Sequence, residues 1–204
     1  MPHRIGIDSI HEELFLLLNL AYAAPAYAQQ HPGVFQDDDE TGDDEYYVPW
    51  LRYVISEKLL IAATKMRVVM EMLREEHKLY SDDDEELPFD LVGMQQRAIG
   101  SHAVGMYVQG NGSCDIRDCC NRIIHANDVL PVVTPPRNDD EGTNASNRLV
   151  RHWTGDVTLL GEKNGTPWEF TLVVSAFCLA TEEFLALIET DVDWHRMFKY
   201  DNLL

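Results

Sequence analysis

The chain has 204 residues, 45% of them hydrophobic, which suffices to bury a core as a single domain (1–204) without metals or disulfides. Its 16 Lys and Arg stand against 35 Asp and Glu, a formal net charge of −19. That balance counts against sequence-independent binding to DNA or RNA, which needs a positive surface.

Much of the negative charge falls in two runs. One is Asp37-Asp38-Asp39-Glu40, continued by Asp43, Asp44 and Glu45; the other is Asp82-Asp83-Asp84-Glu85-Glu86. Both read as solvated acidic loops, about 29–47 and 80–88, whose like charges repel. The sharper alternatives are a surface that docks on a basic partner, or a loop that takes up a divalent cation. Neither run has the Asp-x-Asp-x-Asp-Gly spacing of a calcium loop.

Helix 1 is predicted to start at Ser9, where Ser9-Ile-His-Glu12 has the form of a capping box. The run Leu14–Ala24 is apolar nearly all round, which predicts a helix lying in the core. Pro25 is expected to kink or end it. Ala26-Tyr27-Ala28 has the small-x-small form of a signal-peptidase site, but Asp8, Glu12 and Glu13 precede it against one Arg4. An export signal wants a positive start, so an internal helix is the better reading. The run is also too short to span a bilayer.

Helix 2 is predicted from Pro49 to about Lys78. Leu51, Val54, Ile55, Leu59, Ala62, Met66, Val69 and Leu73 form a sustained stripe at three- and four-residue steps. Residues 89–112 are rich in glycine and admit a short helix near Gln95–Ile99 or an extended segment at Met106–Gln109.

The most suggestive segment follows, Ser113-Cys-Asp-Ile-Arg-Asp-Cys-Cys-Asn-Arg-Ile-Ile-His125-Ala126. It reads as a short helix with Ser113 as N-cap and Asp115 in the first turn. Ile116, Cys119, Cys120, Ile123 and Ile124 fall on one apolar arc. Arg117, Asn121 and His125 follow at i, i+4 and i+8 along one edge of that arc. Such an edge serves as a site or as a hydrogen-bonded seam. A buried seam predicts that His125→Ala costs about 1–3 kcal/mol.

The four cysteines, Cys114, Cys119, Cys120 and Cys178, make no Cys-x-x-Cys pair and read as reduced, mostly buried thiols of a cytoplasmic protein. Cys114, Cys119 and His125 leave a zinc ion short of a fourth ligand. No metal and no cofactor is therefore expected.

Val129–Thr134 reads as a strand stopped by Pro135-Pro136. Asn164-Gly165 then signals a β-hairpin with a type I′ turn. Pairing across that turn sets Leu159 opposite Phe170, Val157 opposite Leu172 and Trp153 opposite Ala176, all on one apolar face. A last amphipathic helix presents Phe177, Ala180, Phe184, Leu187 and Ile188, completing a hairpin-helix unit at about 148–190.

The Asn121-Arg-Ile-Ile-His125 segment in its helical context resembles the HEPN superfamily, helical domains in which an Arg-Asn-x-x-x-His motif cuts RNA, usually at a dimer interface. The spacing of Asn121 and His125 matches. The arginine is displaced: Cys120 precedes Asn121, Arg122 follows it, and Arg117 lies one turn upstream. The resemblance implies a metal-independent ribonuclease in which His125 handles the 2′-hydroxyl proton, Arg117 meets the phosphorane charge and Asn121 orients substrate. There is no nucleotide-binding Gly-Lys loop, no nucleophile elbow and no His-Glu-x-x-His.

The sequence thus predicts an α+β protein, with a core of about four helices and a small antiparallel sheet, mainly the hairpin. Two functions stay open. One is a non-enzymatic interaction or regulatory protein with an acidic surface, binding a protein partner or a second copy and no membrane. The other is a HEPN-like ribonuclease of a defence or toxin system, with RNA as substrate and Arg117, Asn121 and His125 as its catalytic residues.

Overall fold

The computed structural model describes residues 7–31, 47–81, 89–100, 102–134 and 151–192. The elements run α1 (Asp8–Gln30), α2 (Tyr47–Ser81), α3 (Leu91–Ile99), β1 (Gly105–Gln109), α4 (Ile116–Ile124), β2 (Ala126–Val133), β3 (Trp153–Lys163), β4 (Thr166–Val173) and α5 (Val174–Asp191). The four strands form one antiparallel sheet in the order β1-β4-β3-β2, so the fold is α+β. Among the described residues there are five helices where about four were expected, and the hairpin is the centre of the sheet rather than most of it.

The hairpin forms for the local reason its sequence gives. Asn164 and Gly165 both take positive φ, 53° and 78°, as a type I′ turn requires. Leu159 then faces Phe170 and Val157 faces Leu172, in the predicted register. Trp153 departs from it. Its partner is Val133 of β2, because Ala176 already belongs to α5. Trp153, Val157, Leu159, Phe170 and Leu172 are fully buried on the face that the helices cover. On the far edge, β2 begins three residues before its predicted start and tolerates Pro131, as an edge strand can.

Residues 89–112 supply both candidate elements, the helix α3 and the strand β1. The acidic runs, Pro135-Pro136 and the polar stretch after them lie outside the described residues.

Helix α2 spans 35 residues. Its predicted stripe is buried at Leu51, Ile55, Leu59, Ala62, Met66, Val69 and Leu73. Helix α1 packs antiparallel to it, with Lys65 Nζ donating to the Ser9 carbonyl at 2.8 Å and Lys58 and Lys65 both meeting the buried Glu13 carboxylate. One expectation for α1 fails: Ser9 is not its cap, since the helix is already wound at Asp8. Of the two outcomes expected at Pro25, an end is excluded, since the helix runs on to Gln30. The last turn persists because Ala28 is buried and Tyr27 stacks on Tyr47 at 4.8 Å between ring centroids.

Nor is α1 buried all round. Ile10, Leu14, Leu17, Ala21, Ala24 and Ala28 line a buried face, whereas Phe15 and Tyr22 are each 64% exposed. The helix lies between α2 and α5, tied to the latter through His11 and Glu182, and nothing among the described residues covers its outer side. Among the described residues, no helix is long and apolar enough to cross a membrane.

Candidate functional site

Helix α4 carries the candidate residues, and its start differs from the predicted one. Cys114 sits at φ 52°, a left-handed conformation that cannot open a helix. The cap is therefore Asp115, whose Oδ1 accepts from the Asp118 amide at 2.7 Å, while the Ser113 hydroxyl donates to Asp115 Oδ2. The helix ends at Ile124. His125 is its C-cap and Ala126 already opens β2.

The apolar arc is buried at Ile116, Cys119, Cys120 and Ile123 and half-buried at Ile124. All four cysteines are free thiols, and Cys178 is buried on α5. Burial pushes the Cys120 thiol up to about 12 and the Cys119 thiol well above its ordinary value. These thiols are protonated packing groups.

On one edge of the arc, Arg117 Nη2 donates to Glu71 Oε1 of α2 at 2.8 Å. The same oxygen accepts from Arg67 Nη2 at 2.7 Å. Burial, then the Arg67 and Arg74 charges, lower the Arg117 pKa, ahead of the opposing pull of Glu71 and Asp115. Asn121 is half-buried one turn on, and its carbonyl accepts from the His125 amide at 3.0 Å. His125 itself is exposed, beyond the last helical residue. Arg117 and His125 are separated by two helical turns, about 12 Å of rise. Along this edge the structure thus pairs Arg117 with α2, leaves Asn121 half-buried one turn on, and leaves His125 exposed a further turn beyond.

The other edge holds a constellation that no local spacing announces. Arg122 Nε donates to the Tyr107 hydroxyl at 2.7 Å, and that hydroxyl donates to Asp118 Oδ2 at 2.6 Å. The guanidinium lies 5.1 Å from the Tyr107 ring centroid and 4.8 Å from that of Trp168, and its Nη2 stands 3.5 Å from Asp118 Oδ1. The Cys114 amide also donates to Asp118 Oδ2, at 3.3 Å. Gly112 is required beside them, because a Cβ there would lie 2.2 Å from the Tyr107 oxygen. Burial and the Asp118 hydrogen bond raise the Tyr107 pKa, so the phenol stays a donor. The one sequence signal was the i,i+4 pair of Asp118 and Arg122; the rings arrive from β1 and β4.

A third feature lies on the outer side of α1 and α2. Phe15, Leu16, Tyr22 and Tyr27 of α1 are exposed there, as are Trp50, Tyr53, Leu60 and Val68 of α2. On α2 these alternate with exposed Glu57 and Thr64 at three- and four-residue steps, a second stripe opposite the buried one. Tyr47, whose ring lies 4.8 Å from Tyr27 and 5.9 Å from Trp50, links the exposed aromatics of the two helices at one end.

Among the described residues no three His, Cys, Asp or Glu side chains gather as metal ligands. No protein-family model matches the chain, and neither a curated protein nor a solved structure matches it.

Proposed function

We propose that this is a non-enzymatic interaction protein of the cytoplasm whose working surface is the exposed face of α1 and α2, used to pair two copies of the chain. The observation that carries the reading is the size of that face. Its eight exposed large apolar side chains present roughly 800 Å² of surface, taking about 200 Å² for a whole aromatic side chain, which is what one partner contributes to a standard interface. Monomers seldom leave a patch of that size uncovered. A second copy fits better than a basic partner, because the stripe from Trp50 to Val68 carries a single charge, Glu57, in a chain of net charge −19. Two copies repel least where their charge is thinnest. The test is sedimentation velocity across a concentration series, with Tyr22→Glu and Tyr53→Glu in parallel. The parent should dimerise and the variants should run as folded monomers. A parent that stays monomeric at high concentration would refute the pairing.

RNA cleavage is the second reading, supported by the exposure of the His125 imidazole at the end of α4. Against it stands the pairing of Arg117 with Glu71 on α2, which directs the guanidinium toward another helix.

A further inference from the structure

Arg67, Arg74 and Arg117 converge where α2 and α4 pack. One carboxylate oxygen, Glu71 Oε1, accepts from both Arg67 and Arg117, at 2.7 and 2.8 Å. Arg74, one turn further along α2 and exposed, adds a third cation near enough to depress the Arg117 pKa. Asp115 adds a second negative charge at Arg117. Arg67 Nη1 is buried and, among the described residues, has no hydrogen-bond partner. Three guanidiniums thus gather around Glu71, in a molecule whose acidic groups outnumber its basic ones by 35 to 16. Guanidinium groups do not discharge in proteins, so all three charges persist.

We propose that Arg67, Arg74 and Arg117 form a binding site for a single phosphate group, with Glu71 as its built-in competitor. The Glu71 side chain is 42% exposed, so it can turn toward solvent and yield its place between the two guanidiniums. A phosphate monoester brings a charge near −2 and three acceptor oxygens where the carboxylate brings one charge and two. The extra oxygens suit the Nη donors of a third arginine, and guanidinium forks match phosphate geometry. A long polyanion is disfavoured, because every further phosphate meets the negative surface around the site. The assignment does not rest on two copies pairing, since it uses Arg67, Arg74 and Arg117 where α2 and α4 pack and none of the exposed apolar side chains of α1 and α2.

The experiment is calorimetric titration and thermal unfolding of the full chain with inorganic phosphate near pH 8, against sodium chloride at equal ionic strength. Glycerol phosphate forms a second arm, testing a monoester against the free ion. Saturating phosphate should raise Tm by about 5 °C beyond chloride. Glu71→Gln should bind phosphate about tenfold more tightly, and Arg117→Gln about tenfold more weakly. Arg74→Gln, a surface change that cannot unfold the chain, should weaken binding several-fold. Equal shifts from phosphate and chloride would overturn the proposal. So would Glu71→Gln binding no better than the parent, Arg74→Gln and Arg117→Gln both binding as well as it, or a short RNA binding where phosphate and glycerol phosphate do not.

Discussion

Arg117 and Arg122 flank the same buried arc of α4, one on either edge, and the fold treats them in opposite ways. Arg122 is closed in. Two aromatic rings face its guanidinium, the Tyr107 hydroxyl accepts from its Nε, and Asp118 neutralises it with both side chains only 13% exposed. Arg117 shares its one carboxylate oxygen with Arg67 and stands near a third arginine. One edge is closed and the other crowds three cations. A guanidinium whose Nε, faces and charge are answered is a fastener, here holding β1 against α4. Where partners run short, chemistry toward a ligand is still open. Spacing along the helix does not separate these cases; partners from other elements do.

The comparison breaks most readily at Arg122. Arg122→Ala removes two cation–π contacts and a hydrogen bond and leaves Asp118 without its countercharge in a largely buried position. The expected loss is about 3 kcal/mol, read as a lower midpoint in urea. Arg122→Lys should recover little of it, since an ammonium neither stacks flat nor reaches Tyr107 and Asp118 together. A loss below about 1 kcal/mol would mean that the edge is not closed in the sense argued.

The arc between the two edges gives the next largest effect. The folded Cys120 thiol has its pKa raised from 9.0 to about 12 by burial. A raised folded pKa means that its contribution is complete below about pH 9 and is lost as pH rises toward 12. Near pH 10.5 the loss from this one group is about 2 kcal/mol. Urea midpoints at about pH 8 and 10.5 measure it, with Cys120→Ala as the control that should flatten the slope by that amount. An unchanged slope would place the thiol in contact with water.

How much of this was legible beforehand depends on the range of the interactions that decide each element. The hairpin was legible because Asn164-Gly165 and the two alternating strands settle it within a few residues. The buried stripe of α2 was legible for the same reason. The pairing of Trp153 was not, because it depends on where β4 yields to α5 and on a third strand. The outer face of α1 was missed because an apolar run does not say which sides its neighbours cover; α2 and α5 leave Phe15 and Tyr22 open. The Ser113 cap failed on one backbone angle at Cys114. The Arg122 cluster had only its i,i+4 partner in view, since Tyr107 arrives through the β1–β4 pairing and Trp168 from β4 itself.

The Arg117 edge should respond weakly to truncation. Arg117→Ala is expected to cost about 1 kcal/mol, because the pair with Glu71 is partly exposed and screened and Glu71 keeps Arg67. Removing one of three crowded cations also relieves repulsion on Arg67 and Arg74. A loss as large as that of Arg122→Ala would erase the contrast between the edges.

The smallest effect belongs to His125, and it decides most about function. A buried seam required a loss of about 1–3 kcal/mol on His125→Ala. The exposed position beyond Ile124 leaves the imidazole little to lose, so the expected change is within about 0.5 kcal/mol. The same two samples should be incubated with a single-stranded RNA in EDTA. The interaction reading expects intact RNA from both. Cleavage by the parent that persists in EDTA, ends in 2′,3′-cyclic or 3′-phosphate, and disappears in an equally stable His125→Ala would assign His125 to catalysis. Arg117 would then have to leave Glu71 or be supplied by a second copy, since within one chain its guanidinium is held on α2 two turns from His125. A dimer that cuts RNA while its Tyr53→Glu monomer does not would join the two readings into one, with the aromatic face serving to assemble the site.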